Sequence, residues 1–229
     1  MAWTNLGDPT PKNAPTPYEL YSWRTGAVIH LPAFSSTRTS PADFFEVLRQ
    51  RRTSRNFAPL QLEQLGQFLG HSSLSQNSMP SVLGFELEHR PAPSAGGIHP
   101  VHIFVKKPED PRWWLYEPRA HFLIEITNAI ESLKGLCEHR KNVQESNMAT
   151  QLLLIAEPGK TFAKYDNACS LIWRDAGVLL GVMALTAQAL GLVFCPLGIT
   201  GEPWVSQLSN QNQLFGVGLA LLGGPNLNS

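Results

Sequence analysis

The sequence predicts a mixed α and β fold with strands scattered among helices, and three observations carry that reading. Apolar residues make up 43% of the 229 positions and charged residues only 16%, enough for a buried core and too little repulsion to keep the chain open. Short apolar runs bounded by turn residues alternate with stretches of helical periodicity. No internal repeat organises them, and the length fits one large domain better than two small ones.

The elements follow in order. Residues 1–39 read as an extended arm punctuated by Pro, Thr and Ser; residues 18–31 carry enough aromatic and aliphatic content to lie on a surface and could embrace a partner subunit. The domain proper spans 40–229. Ser40-Pro41-Ala42-Asp43 is a helix start, with an N-cap, a proline at the first helical position and an acid at the third, followed by Phe44, Phe45 and Leu48 on one face. A second helix runs through Leu62, Leu65 and Leu69. Strand-like runs at 85–89 and 101–106 flank the turn-rich segment 91–97, a loop by composition. Residues 113–116 and 121–126 read as a hairpin across Glu117-Pro118-Arg119, and 129–148 as mostly helical with a polar break near Arg140.

Residues 151–156 form a continuous apolar strand. The longest helical pattern, 167–190, is rich in Gly and Ala, which permits close approach by a second helix or a flat ligand. Residues 192–195 and 215–222 read as buried strands, with 204–208 helical between them.

Charge and cysteine content exclude several function classes. Eighteen Lys and Arg balance eighteen Asp and Glu, so the diffuse cationic field that drives binding to nucleic acid or anionic membranes is absent, and any anion site must be local. Cys137, Cys169 and Cys195 stand far apart without a C-x-x-C spacing, against a disulfide framework or a thiolate zinc site. With no visible secretory or lipidation signal, a reducing cytoplasm is expected. Residues 176–200 lack formal charge and could span a bilayer by length. Gln188, Pro196 and entry through Arg174-Asp175 favour a buried helix that turns at Gly191 into a buried strand.

Several motifs fail. Gly159-Lys160-Thr161 follows a strand like the end of a phosphate-binding loop, but the required first glycine would stand at Leu154. Gly216 and Gly218 lie in an apolar strand without the third glycine or following helix of a dinucleotide fingerprint. His99 and His102, placed on opposite faces of a strand-like run, have no acidic or Cys partner at metal-ligand spacing, so no metal is expected. The segment 49–55 is different. It packs Arg49, Arg51, Arg52 and Arg55 with Thr53 and Ser54 at a helix C-terminus, more than dipole compensation needs and matched to a phosphate dianion.

The order of the segments resembles the nitroreductase superfamily. Arg51-Arg52-Thr53-Ser54-Arg55, then Pro93-Ser94-Ala95-Gly96-Gly97, Leu115-Tyr116-Glu117-Pro118-Arg119, Thr161-Phe162-Ala163-Lys164-Tyr165, Arg174-Asp175-Ala176-Gly177 and Cys195-Pro196-Leu197-Gly198 occur in the expected sequence across about residues 43–225. The chain is most similar to the SagB-type branch, the azoline dehydrogenases of peptide-modifying synthetases. That resemblance implies an α+β fold, with a central, mainly antiparallel sheet flanked by helices, in an intertwined homodimer holding FMN at the subunit interface. It implies that Arg51, Thr53 and Arg55 hold the flavin phosphate, Thr53 replacing the usual Ser. Pro93, Ser94, Ala95 and Gly96 would line the ribityl chain and ring, and Pro196, Leu197 and Gly198 the opposite edge near N5. Departures occur where relatives have Tyr-Arg for Cys169-Ser170 and His for Val178, and no basic residue follows Gly223-Gly224-Pro225; Arg174 or another arginine would have to compensate.

Within that family Lys164-Tyr165 is the informative pair, because it resembles the catalytic signature of thiazoline and oxazoline dehydrogenases. Aromatising an azoline removes a proton from one ring carbon and a hydride from its neighbour, so a base is needed beside the flavin; Lys164 would serve and Tyr165 would relay the proton. The implied activity is FMN-dependent oxidation of peptide thiazolines or oxazolines, with dioxygen reoxidising the flavin, and with a cyclodehydratase subunit and a precursor peptide as partners. The alternatives are a stand-alone NAD(P)H-dependent nitro- or quinone reductase, or a non-catalytic subunit suggested by the departures at Cys169, Ser170 and Val178.

Overall fold

The computed structural model describes residues 4–33, 42–209, 211 and 213–226, so Ser40 and Pro41 of the expected helix start lie outside the described residues. In chain order the strands are β1 (Thr10–Pro11), β2 (Thr25–His30), β3 (Phe57–Ala58), β4 (Asn77–Met79), β5 (Leu87–His89), β6 (Val101–Lys106), β7 (Trp114–Glu117), β8 (Phe122–Ile126), β9 (Thr150–Ala156), β10 (Tyr165–Asp166), β11 (Val193–Leu197) and β12 (Phe215–Pro225). The helices are α1 (Phe44–Gln50), α2 (Leu62–Ser73), α3 (Ala129–Ser132), α4 (Lys134–Val143), α5 (Pro158–Phe162) and α6 (Cys169–Ala189).

The main sheet has the order β11-β12-β9-β6-β7-β8-β2, every pair antiparallel, with β3 added to the end of β12. Its central strands are apolar on both faces because helices cover both. Along β9, Leu152, Leu154 and Ala156 face the core beneath α2 and α6, while Leu153 and Ile155 face the one beneath α3 and α4, the alternation a pleated strand imposes. Phe68 and Leu69 of α2 seal the first core; Trp113, Leu133 and Leu136 seal the second.

The differences from expectation have local causes. Asp43, not Ser40, caps α1, its carboxylate accepting from the Glu46 amide at 2.8 Å. The break in 129–148 falls at Leu133, and Arg140 instead lies buried within α4, donating to the Gln144 and Ser146 carbonyls. His99 stands before β6 at φ 48°, so it and His102 do not share a strand. Residues 25–30 form the edge strand β2 of the domain's own sheet, and the earlier part of the arm binds its own chain through β1 and β10.

Helix α6 is not buried all round. Ile172, Ala176, Leu179, Met183 and Ala187 face the core, but Trp173 and Val178 are exposed, and a Cβ built on Gly177 or Gly181 would meet nothing within 4 Å. Phe44, Phe45 and Leu48 of the neighbouring α1 are exposed as well, Phe45 to 76%.

Candidate functional site

Two groups of predicted site residues emerge at different places on this frame. The first is the corner where the 91–99 loop meets the segment after α5. A single 3-10 turn at Ala95–Gly97 shapes the loop, and Gly96 and Gly97 adopt φ 66° and 69°, the left-handed region that glycine enters without a Cβ penalty. A Cβ built on Gly96 would lie 2.9 Å from Lys164 Nζ and 3.0 Å from the Tyr165 hydroxyl. The backbone of the loop thus passes directly against both polar tips, as close as only glycine allows.

Each side of this corner is tied down. Ser94 Oγ donates to Asp175 Oδ2 at 2.5 Å, and the Ala95 amide donates to the same carboxylate at 3.2 Å, fastening the loop to α6. Burial pushes the Asp175 carboxyl up, against the pull of those two hydrogen bonds. On the other side, the amides of Lys12 and Thr16 donate to the carbonyls of Lys164 and Ala163, both at 2.9 Å, and Pro11 pairs with Tyr165. The N-terminal segment therefore holds the Lys164-Tyr165 pair in place within its own chain.

The second group gathers around β11. Arg49, Arg51, Arg52 and Ser54 line a groove of about 690 Å³ whose other wall is Gln188 at the end of α6 and Val193 at the start of β11. Among the described residues, no carboxylate lies within ion-pair distance of Arg51, Arg52 or Arg55, whereas Arg49 pairs with Glu46. The Arg55 charge reaches Cys195, where it opposes the upward push of burial on the thiol. Thr53 is exposed on the same loop. Pro196 and Gly198, at the far end of β11, are exposed, and a Cβ on Gly198 would meet open space.

The structure thus brings Pro93–Gly96 together with Lys164 and Tyr165, and Arg51–Arg55 together with β11, but the Arg51 groove reaches neither the loop nor the lysine. Asp175 beside the first group and Gln188 beside the second are thirteen residues apart on one helix, about 20 Å. Arg174, four residues from its Ser170 partner near the start of α6, stands at the wrong end to support Arg51 within one chain. A larger groove of about 730 Å³, between Leu60, Leu62, Lys107 and Pro111, contains none of the predicted residues. Among the described residues no group of three or more His, Cys, Asp or Glu could hold a metal.

Comparison with known proteins places this frame. The nitroreductase family profile matches residues 48–217. The chain belongs to the nitroreductase family. The fold has solved relatives at low sequence identity. A protein assigned to the nitroreductases from Ralstonia eutropha JMP134 is 20% identical with a TM-score of 0.63, over 96% of this chain and 98% of that one. The E. coli microcin synthetase McbBCD complex, with truncated pro-MccB17 bound, contains a chain 18% identical with a TM-score of 0.57, over 88% of this chain and 79% of that one. A protein from Desulfovibrio desulfuricans, assigned to the nitroreductases and solved with FMN, is 18% identical with a TM-score of 0.53, over 83% and 90%. No curated protein sequence matches the chain.

Within the nitroreductase frame, sequence reasoning missed the residues that hold the loop: Asp175, His99 and Lys160. The signal was present. Asp175 is an acid between the core-facing Ile172 and Leu179 of a mostly apolar helix, and Lys160 is a cation one turn after a fully buried strand.

Proposed function

We propose that this chain is an FMN-dependent oxidoreductase that oxidises thiazoline or oxazoline rings in a ribosomally made peptide to thiazoles or oxazoles. The observation that carries the reading is the contact of the Lys164 amine and Tyr165 hydroxyl with Gly96, which gathers a base, a proton relay and a ring-lining loop at one corner. The microcin synthetase complex, a fold neighbour solved with a pro-peptide, supports a peptide substrate and a cyclodehydratase partner.

The residues fit FMN. Arg51, Arg52 and Arg55, with Thr53 and Ser54, form a donor set with no paired carboxylate among the described residues, suited to a phosphate dianion. Pro93–Gly97 offers small side chains, and Gly198 faces open space, where a flat ring would lie. Because the two groups stand at opposite ends of α6, the site is composite: the arginines and β11 of one copy hold the flavin, and the Gly96 corner of a second copy closes over it. The exposed apolar faces of α1 and α6, with Gly177 and Gly181 open to close helix approach, support that homodimer.

Bound FMN would supply the two-electron acceptor for the hydride, with dioxygen as the terminal oxidant. The chain's own residues do the rest. Lys164 Nζ takes the proton from the ring carbon next to the one that loses the hydride, and the Tyr165 hydroxyl hands it on toward solvent. Asp175 and Ser94 fasten the loop to α6, so the loop would stay set where it could line a bound flavin and exclude water.

The test is peptide mass. A cyclised precursor should lose two hydrogen masses per ring with the wild type, and the rate should fall roughly 10²-fold or more with Lys164→Ala while bound flavin is retained. Full turnover by Lys164→Ala would remove the lysine from the reaction. Rapid bleaching of the flavin by NADPH, with nitroarene turnover indifferent to Lys164→Ala, would instead favour the stand-alone reductase. Protein that stays colourless after FMN is added would favour the non-catalytic subunit.

A further inference from the structure

Helix α5 opens with Pro158-Gly159-Lys160-Thr161, which fails as a phosphate loop, and its lysine points inward. Lys160 is only 7% exposed, although it directly follows the mouth of a sheet strand. Its Nζ donates to the backbone carbonyl of His99 at 2.9 Å and lies 5.2 Å from the centre of the Phe85 ring. Burial, followed by the Arg90 charge, pushes the ammonium down to about 8, with Glu157 and Glu88 pulling the other way and Arg119 adding to the push. A cation buried at such cost needs a structural return.

His99 shows what that return is. At φ 48° it sits in the left-handed region, unfavourable for a residue with a Cβ, and all of its polar groups near the loop are engaged. Its amide donates to Ser94 Oγ at 2.9 Å, its Nε2 meets the Glu88 carbonyl at 3.0 Å, and its carbonyl receives Lys160. Ser94 in turn donates to Asp175. The chain of contacts from Lys160 through His99 and Ser94 to Asp175 spans the whole 94–99 turn, including Gly96, from α5 on one side to α6 on the other.

We propose that Lys160 is a positioning residue: it fixes the strained His99 carbonyl and so locks the Gly96 turn against Lys164 and Tyr165, one helical turn along the same segment. Lys160 touches neither reacting group; it acts through the loop. Its charge makes the bond to the carbonyl the strong, charge-assisted kind, which offsets the strain at His99. The proposal rests on the azoline dehydrogenase reading only for what the locked loop accomplishes; the locking itself is independent of the substrate.

Amide hydrogen exchange of the full-length protein tests it. In the wild type, the Ala95, Gly97 and His99 amides should be protected nearly as well as those of β9. In Lys160→Met those three should exchange at least about tenfold faster while β9 and β12 stay within twofold, and Lys160→Gln, which keeps a shorter neutral donor, should fall between. In the peptide assay, kcat should drop roughly tenfold in Lys160→Met, with KM within about threefold. Wild-type loop amides that exchange like open coil would overturn the proposal without any variant. So would an exchange increase spread evenly over β9 and β12, which marks a merely structural lysine. Absence of ring oxidation by the wild type, with the exchange pattern as described, would sink the functional reading and leave the lock standing.

Discussion

The two halves of the site are built in opposite ways. Around Gly96 nearly every polar group has a partner inside the chain: Ser94 with Asp175, His99 with Glu88 and Lys160, and the Lys164 and Ala163 carbonyls with the amides of the N-terminal segment. Around Arg51 the guanidinium groups of Arg51, Arg52 and Arg55 stand exposed with no carboxylate beside them among the described residues, while Arg49 pairs with Glu46. A preorganised corner suits chemistry, where small displacements of a base cost rate. Unpaired guanidinium groups suit an anion that arrives from outside, since no internal ion pair must be broken to bind it. On the proposed reading one copy is not enough, since the finished half and the open half lie about 20 Å apart along α6.

The largest effect should come from emptying the open half. Replacing Arg51→Glu and Arg55→Glu together should weaken FMN binding by roughly 10³-fold, read as loss of visible absorbance after gel filtration. The flavin-free protein should melt as the wild type does, because neither arginine is in an ion pair among the described residues. A yellow, fully loaded double variant would break the comparison at its root.

Association comes next. Gly181 faces open space, so Gly181→Trp should fold at least as well as the wild type, since glycine is a poor helix former. It should nevertheless sediment as a monomer and lose flavin, with association weakened by about 10²-fold or more. A dimeric, flavin-loaded Gly181→Trp would move the interface off α6.

A smaller effect is expected at the built corner. Gly96→Ala forces a Cβ onto φ 66° and against the Lys164 amine, so it should cost about 1–2 kcal/mol in thermal unfolding and roughly tenfold in kcat. Unchanged turnover would mean that the loop is less tightly set than its contacts indicate.

The effect of pH falls on stability alone and leaves the site's two halves as they are. Burial, reinforced by the Arg90 charge, holds His99 down to about 4, and burial also lowers His102 despite its partner Glu157. His99 stays neutral in the folded chain down to about pH 4, while the unfolded chain takes up protons near 6.5. The unfolded state therefore binds more protons between about pH 6.5 and 4, and stability falls as pH drops through that window, by about 2 kcal/mol at pH 5 from His99 alone. Melting temperatures of the flavin-free protein at pH 7 and pH 5 would show it, and a flat profile would argue against the neutral histidine.

The parts of the fold legible in the sequence were those whose burial is written as an unbroken apolar run. β9, β12 and α6 fall close to their expected bounds because apolar residues dominate each of them, Arg174 and Asp175 of α6 notwithstanding. β2 has the sequence of an arm because Thr25–His30 is an exposed edge strand, with little hydrophobic signal to separate it from coil. β1, β3 and β10 are two residues each and exist only through their partners, which no local pattern encodes. α5 was hidden by Pro158 and Gly159, although proline suits a first helical position and Gly159 is required because a Cβ there would strike the Tyr18 ring. In the site, residue types announced the arginines and Lys164-Tyr165. The distribution of these groups over two ends of α6, and the lock built from Lys160, His99 and Asp175, depend on tertiary packing and could not be read in one dimension.

The composite site is tested most directly by mixing two defective chains. Lys164→Ala and the Arg51→Glu, Arg55→Glu double variant, each inactive alone in ring oxidation, are unfolded together, refolded as mixed dimers and assayed. If the lysine of one copy serves the flavin held by the other, each mixed dimer contains one intact site, and about a quarter of wild-type activity should return. Activity no greater than that of the separate variants, with mixed dimers shown to have formed, would place both halves on the same chain and contradict the account.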